Sequence, residues 1–280
     1  MTKGILLIAL GHEQYKQMAF ALAASIRVND PDVLVAIATD KPFDVKFSFL
    51  FSHQIILDEK SYTVAGKKEY IRAKLCAYEI SPFDETIFLD VDQILLPKRK
   101  ISVLFDELAE VEFTMSNTGL AGTSVWVDIE EVKRVYGSDQ PFWNYHSELV
   151  YFKKCATAKK YFTTAKKVYD KANLTTAFKF AGGRMADELA FQIASIITGT
   201  YPHKDNWTPN FWYVRNPKLS GKYPYQLEEF ITYSIGGAFV PMHIRTHYNN
   251  LAASYFYRLK LQNPYKAKDK RSFLPERVKY

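Results

Sequence analysis

Asp90-Val91-Asp92 sets two carboxylates two residues apart at the end of the apolar run Thr86-Ile87-Phe88-Leu89, and Gln93-Ile94-Leu95-Leu96-Pro97 follows at once. Alternate residues of a strand share a face, and a turn starting there can bring both carboxylates onto one hard cation. A divalent ion held in this way bridges a diphosphate and stabilises the charge that builds on it as a leaving group. Asp is also common in surface turns, and an Asp-x-Asp triplet often arises by chance. The apolar residues on both sides weigh against chance, because charges embedded among them are costly unless something cationic compensates. The expectation is a metal site at Asp90 and Asp92, at the carboxyl end of a strand, where open α/β sheets place their ligand crevice.

Such a crevice needs a parallel sheet behind it. The first half of the chain alternates apolar, β-branched runs with helical patterns: Ile5–Leu10, Gln14–Val28, Val33–Thr39, Gln54–Leu57, Lys67–Glu79 and Thr86–Leu89. That alternation predicts βαβ units around a mostly parallel sheet, a Rossmann-like α/β fold. Met18, Leu22, Ser25 and Ile26 line one face of the first helix, the stripe of a helix that covers a sheet. Beyond Ile101 the pattern predicts helices over Ile101–Leu108, Cys155–Ala172 and Glu188–Ile197, and strands over Val111–Met115, Ser147–Phe152 and Ala238–Ile244. Tyr201–Tyr225, rich in Pro, Asn, Gly and aromatic residues, reads as an ordered loop excursion.

With 280 residues, 48% of them hydrophobic, the chain can bury a sizeable core. No apolar run reaches the length of a membrane span, and Ile5–Leu10 lacks the features of an export signal. Cys76 and Cys155, the two cysteines, suit a reducing compartment better than a disulfide framework, so a cytoplasmic location is expected. The net charge of +7 implies attraction to polyanions without choosing among sugar nucleotides, nucleic acid and membrane surfaces.

Ala73-Lys74-Leu75, followed by Phe83-Asp84-Glu85-Thr86-Ile87-Phe88-Leu89-Asp90-Val91-Asp92, resembles the glycogenin-like and bacterial galactosyltransferase-like members of glycosyltransferase family 8. The resemblance spans the first half of the chain and the second half in patches. It implies a GT-A fold in a single domain over residues 1–250, with residues 1–100 as the nucleotide-binding half and 101–250 as the acceptor-side half. A UDP-sugar would be the donor, Mn2+ or Mg2+ the metal, and a hexose would pass to an acceptor hydroxyl with retention of configuration. It also implies site residues. Ala9, Leu10 and Gly11 seat the nucleoside, with Thr39-Asp40 similarly placed at the end of the second strand. Lys74 contacts the donor diphosphate. His243 joins Asp90 and Asp92 as third metal ligand, with His247 as the competing choice, and Asp187-Glu188 lies near the acceptor and the anomeric carbon. The Gly and Lys that follow the family's His are missing here, and Arg245 is a substitute for the phosphate contact. Glu188 stands where the family has Gln, and a carboxylate can serve as nucleophile or base where an amide cannot. Asp187 is equally a favoured residue at the start of a helix.

Residues 251–280 form a basic, aromatic segment, with Arg258, Lys260, Lys266, Lys268, Lys270, Arg271, Arg277 and Lys279 interleaved with Tyr255, Phe256, Tyr257, Tyr265, Phe273 and Tyr280. The pattern fits packing on the domain, contact with nucleic acid, or contact with an anionic membrane through residues 255–280. Acceptors compatible with it are a lipid-linked glycan, a protein, or a hydroxylated base in DNA. Two other readings compete: a nucleotidyltransferase, which needs a Gly-rich phosphate loop that Gly11-His12-Glu13-Gln14 does not resemble, and a nucleic-acid- or glycan-binding protein on a degenerate GT-A scaffold.

Overall fold

The computed structural model of the chain describes all residues except 172, 181–183, 213–228, 237–241, 263 and 265–280, together with every side chain of the remainder except those of Phe180, Arg184 and Trp212. The first part of the chain forms β1 (Lys3–Ala9), α1 (Glu13–Asn29), β2 (Leu34–Thr39), β3 (His53–Ile56), β4 (Thr63–Val64), β5 (Lys67–Lys68), α2 (Ala77–Ile80), β6 (Glu85–Leu89) and β7 (Gln93–Leu95). There follow α3 (Val103–Glu107), β8 (Phe113–Leu120), α4 (Ile129–Tyr136), β9 (Trp143–Lys153), α5 (Ala156–Lys171), β10 (Lys179–Phe180), β11 (Arg184–Met185) and α6 (Asp187–Thr198). The last elements are β12 (Asn210–Trp212), β13 (Thr232–Ser234) and α7 (Met242–Arg258).

The central sheet has six strands in the order β3-β2-β1-β6-β9-β8. β3, β2, β1 and β6 pair in parallel, and β9 runs antiparallel to both of its neighbours, so it alone opposes the sheet direction. This is the mostly parallel α/β sheet that the alternation of patterns predicts. Because successive strand residues point to opposite faces, β1 and β6 divide their apolar side chains between two cores. Ile5, Leu7, Ala9, Ile87 and Leu89 enter the core shared with α1 and α7, whereas Leu6 and Phe88 enter the core shared with α5 and α6. Strands covered on both faces read as continuous apolar runs, and these do.

α1 presents the expected stripe: Met18, Leu22, Ser25 and Ile26 are all buried. Ser25 Oγ donates to Leu22 O at 2.6 Å and accepts from Leu95 N at 2.9 Å, so the one polar member of the stripe ties α1 to β7. β7 belongs to a second, three-stranded sheet with β12 and β13, which the sequence pattern does not reveal.

The structure departs from the sequence pattern in three places. Lys67–Glu79, expected as one helix, starts as β5, which pairs with β4 across a turn at Ala65 and Gly66, both at positive φ, and becomes a 3-10 segment over Tyr70–Cys76 before α2. The Arg72 guanidinium fixes that tight winding, bonding Lys60 O, Ser61 O and, through two 2.8 Å contacts, the Asp170 carboxylate. Ala238–Ile244 was expected as a strand; Met242, His243 and Ile244 are instead helical, and 237–241 lie outside the described residues. Ile244, Tyr248, Ala252, Tyr255 and Phe256 recur at helical spacing and are all buried, a 3.6-residue period that starts where the apolar run ends. The boundary expected at residue 250 therefore falls inside α7, and Tyr255 and Phe256 of the basic segment pack into the core; residues 265–280 lie outside the described residues.

Candidate active site

Asp90 and Asp92 occupy the turn between β6 and β7, held from both sides by backbone pairing. Asp90 N donates to Glu148 O at 2.9 Å, which extends the β6–β9 ladder one residue past Leu89, and Ile235 N donates to Asp92 O at 3.0 Å, which extends β7–β13. The turn thus joins two sheets, and its carboxylates stand at the carboxyl end of β6, where the sequence places them.

Lys74, from the 3-10 segment, reaches this turn. Its Nζ lies 2.8 Å from Asp90 Oδ2, a hydrogen-bonded ion pair, and 3.2 Å from Asp187 Oδ2, an ion pair without hydrogen-bond alignment. Asp187 opens α6, and beside it Glu188 Oε1 accepts from Ser147 Oγ at 3.3 Å. Lys74, Asp90, Asp187 and Glu188, four residues singled out in the sequence, are therefore in one cluster.

The electrostatics follow from packing carboxyl groups around this ammonium. Burial works against the Lys74 charge, but Asp187 and Asp90 outweigh it and leave the lysine well above its ordinary pKa, firmly charged. Burial also opposes the Asp187 charge, yet Lys74, Ser147 and Glu188 hold that carboxyl below the usual range. Glu188 goes the other way: burial, then the ionised Asp187, push it well above the ordinary carboxylate value. The shift favours the protonated form of Glu188 beside the charged form of Asp187, an arrangement in which Glu188 can donate a hydrogen bond.

Asp90 is pushed up to about 6, by burial first and with Lys74 opposing, and Asp92 to about 8, by burial and then by Asp90 and Glu148. Asp92 Oδ1 is buried with no hydrogen-bond partner among the described residues, and a side chain on Gly236 would come within 2.8 Å of Asp92 Oδ2. A partnerless buried oxygen on a carboxylate whose charge is disfavoured fits a hard divalent cation, which would satisfy the oxygen and restore the charge.

Glu148, not singled out in the sequence, is buried on β9 beside this turn. Asn210 Nδ2 donates to Glu148 Oε2, and Ser116 Oγ donates to Asn210 Oδ1 at 3.0 Å. Below it, Gln93 Nε2 donates to Glu148 O and Thr232 Oγ1 donates to Gln93 Oε1, both at 2.6 Å. A charged residue in the apolar strand Ser147-Glu148-Leu149-Val150-Tyr151-Phe152 is the same signal as Asp-Val-Asp in its own strand, and the same cost argument applies to it.

The histidines stand differently. His243 is exposed on the first turn of α7, and His247 is half-buried one turn later, its ring 5.8 Å from that of Tyr233 and its pKa lowered by burial. Among the described residues no group of three or more His, Cys, Asp or Glu side chains is arranged to hold a metal ion. Arg245, between the histidines, is half-buried.

Among the residues expected to seat a nucleoside, Ala9 ends β1, and both Ala9 and Leu10 are buried, leaving their backbone for any contact. Gly11 follows at φ 80°, a conformation that glycine adopts freely, and the Tyr70 ring sits where a side chain would begin, 2.7 Å from an added Cβ. Gly11 N donates to Asp40 Oδ2 at 3.4 Å, and the buried Lys16 ammonium lies 3.9 Å from Asp40 Oδ1. Gly11 and Asp40 thus meet across the ends of β1 and β2, with Lys16 and Tyr70 as neighbours that the sequence did not single out.

No family model matches the sequence, and no curated protein matches it as a relative. Solved structures do match. The bifunctional glycosyltransferase WbbM superposes with a TM-score of 0.63 over 92% of this chain at 12% identity, and this chain spans about half (51%) of WbbM. The galactosyltransferase LgtC, in complex with donor and acceptor sugar analogues, superposes with a TM-score of 0.57 at 12% identity, covering 90% of this chain and 95% of LgtC. The glycosyltransferase GlyE of Streptococcus pneumoniae TIGR4 superposes with a TM-score of 0.53 at 11% identity, over 92% of this chain and 64% of GlyE. The mostly parallel sheet flanked by helices is the GT-A glycosyltransferase fold.

Proposed function

We propose that the chain is a metal-dependent glycosyltransferase that passes a hexose from a UDP-sugar to an acceptor hydroxyl with retention of configuration. The observation that carries this reading is Lys74 set between Asp90 and Asp187, beside the partnerless buried oxygen of Asp92, in a fold shared with glycosyltransferases. Asp90 and Asp92 would hold Mn2+ or Mg2+, with His243 or His247 as a third ligand. When bound, the ion neutralises the diphosphate as a leaving group.

The chain's own residues take the remaining roles. Gly11 and Asp40, with the backbone of Ala9 and Leu10, seat the nucleoside. Lys74 offers its ammonium to the diphosphate, and Arg245 adds a guanidinium contact. Because Lys74 also pairs with Asp187, the group that receives the leaving phosphate adjoins the carboxylate that faces the acceptor. Asp187, ionised, orients the acceptor hydroxyl, and Glu188, neutral, positions Asp187 by donating its proton to a hydrogen bond. A glycan, a protein or a hydroxymethylated base in DNA would each serve as acceptor by the same chemistry. None of the described helices is long and apolar enough to cross a membrane, which is compatible with action in the cytoplasm.

The test is Mn2+-dependent hydrolysis and transfer with a panel of UDP-sugars. Wild-type protein should hydrolyse at least one, and Asp90→Asn and Asp92→Asn should each lose roughly a hundredfold or more, the scale of losing an electrostatic contact to developing charge. Wild-type protein inactive on every donor would favour a binding protein on this scaffold.

A further inference from the structure

We infer that the outer face of α5 is a docking surface for an anionic lipid bilayer. Lys159, Lys160, Lys167 and Lys171 are all exposed on this helix. At 100° per residue they fall within one arc of about 120°, opposite the buried Ala158, Tyr161, Phe162, Ala165 and Val168. Along the axis they span about 18 Å at 1.5 Å per residue.

The acids that would neutralise this face are committed elsewhere. Asp170, the one acid of α5, is held by Arg72 at 2.8 Å, and Glu79 of α2 pairs with Lys166 at the edge of the face. None of the four outer lysines has a carboxylate within ion-pair distance among the described residues. A net charge of +7 is thus partly concentrated on one straight helix.

The chemistry of the face selects the partner. The cations are all lysines, which reach phosphate headgroups as flexible point charges, and no arginine fork is present to read a nucleic-acid groove. The aromatic residues of α5 contact the core: Tyr161 and Phe162 are fully buried and Tyr169 is half-buried, so none is offered for stacking on bases. A flat, basic helix face with no aromatic platform matches a plane of anionic headgroups. This surface is distinct from the basic segment 255–280.

The placement also bears on the acceptor, a step that rests on the transferase reading as the docking does not. α5 packs against α6, which carries Asp187, and against the segment that carries Lys74. A bilayer against α5 therefore lies about one helix layer, roughly 10 Å, from the helix that bears the acceptor-side carboxylate. That suits a glycan acceptor presented on a lipid.

The experiment is flotation of the full chain with vesicles of phosphatidylcholine containing about 30% phosphatidylglycerol, and with phosphatidylcholine alone. Wild-type protein should float with the anionic vesicles alone and be released by salt. The quadruple variant Lys159→Glu, Lys160→Glu, Lys167→Glu, Lys171→Glu should lose roughly tenfold or more in partitioning, while Lys41→Glu, Lys67→Glu, Lys98→Glu, Lys100→Glu, with the same net charge, should keep it. Circular dichroism melts check that both variants fold; if the glutamate variant does not, the same four positions as Gln replace it. Equal loss in both variants, unchanged binding in the α5 variant, or binding to duplex DNA but not to vesicles would each overturn the proposal. Since the readout is binding, inactivity toward nucleotide sugars leaves it standing and counts only against the transferase reading.

Discussion

Lys74 and Asp90 form a 2.8 Å ion pair in which 22% of one side chain and 16% of the other is exposed. Lys74 comes from a 3-10 segment pinned by Arg72, and Asp90 from the end of β6, so the pair couples the winding of Tyr70–Cys76 to the carboxylate turn. Removing one member of a buried pair leaves the other charge uncompensated, which costs about 3 kcal/mol. Lys74→Met should lower stability by that order in urea denaturation. The double variant Lys74→Met, Asp90→Asn should recover part of the loss; strictly additive losses would show that the two side chains do not interact.

Burial and then Asp187 push the Glu188 carboxyl well above the ordinary value, which favours the protonated form that donates a hydrogen bond. An amide can donate in the same way. Glu188→Gln should keep at least about a tenth of wild-type transfer and unchanged donor binding, whereas Glu188→Leu, which leaves Asp187 without that donor, should lose tenfold or more, the scale of about 1.4 kcal/mol. If Glu188→Gln abolished transfer as completely as Glu188→Leu, the carboxyl itself would be required.

The grouping of Asp90 and Asp92 in one turn, and of Gly11 and Asp40 at two strand ends, was legible from sequence because its signals are local. Asp90 and Asp92 interrupt an apolar strand, Gly11 and Asp40 end two others, and the period-2 and period-3.6 patterns on either side are regular enough to place them. Glu148 carries the same signal as Asp90, a carboxylate within an apolar strand. Lys16, Tyr70 and Asn210 were not legible, because what makes each of them matter is a partner 24 or more residues away: Asp40, Gly11 and Glu148. α7 was hidden by an apolar run that reads as a strand until its buried positions are counted through Phe256. The 3-10 winding at Lys74 depends on Arg72 meeting Asp170 across 98 residues, which no local pattern encodes.

Glu131 of α4 makes a prediction accessible to pH. The Glu131 carboxylate accepts from the Thr175 backbone at 2.8 Å and hydroxyl at 2.6 Å, and from the Thr176 backbone at 2.8 Å and hydroxyl, which lowers it to about 2. A carboxyl whose folded pKa lies below its unfolded value of about 4.3 stabilises the fold fully above that value and loses the contribution as pH falls toward 2. Glu131→Gln should therefore melt below wild type at pH 7, and the gap should close as pH is lowered from about 5 to 2. A gap independent of pH would show that the charge of Glu131 is not what holds the 175–176 turn.

The central claim is that Asp90 and Asp92 form a cation-dependent donor site. Its most direct test is the thermal stability of wild-type protein and of Asp92→Asn with UDP-sugars, each with and without Mn2+. A ligand at 100 times its Kd adds about 2.7 kcal/mol, which at this chain length raises Tm by roughly 5 °C. The account predicts that rise in wild type with metal and donor together, and its loss in Asp92→Asn. An equal rise without Mn2+, or an undiminished rise in Asp92→Asn, would contradict it.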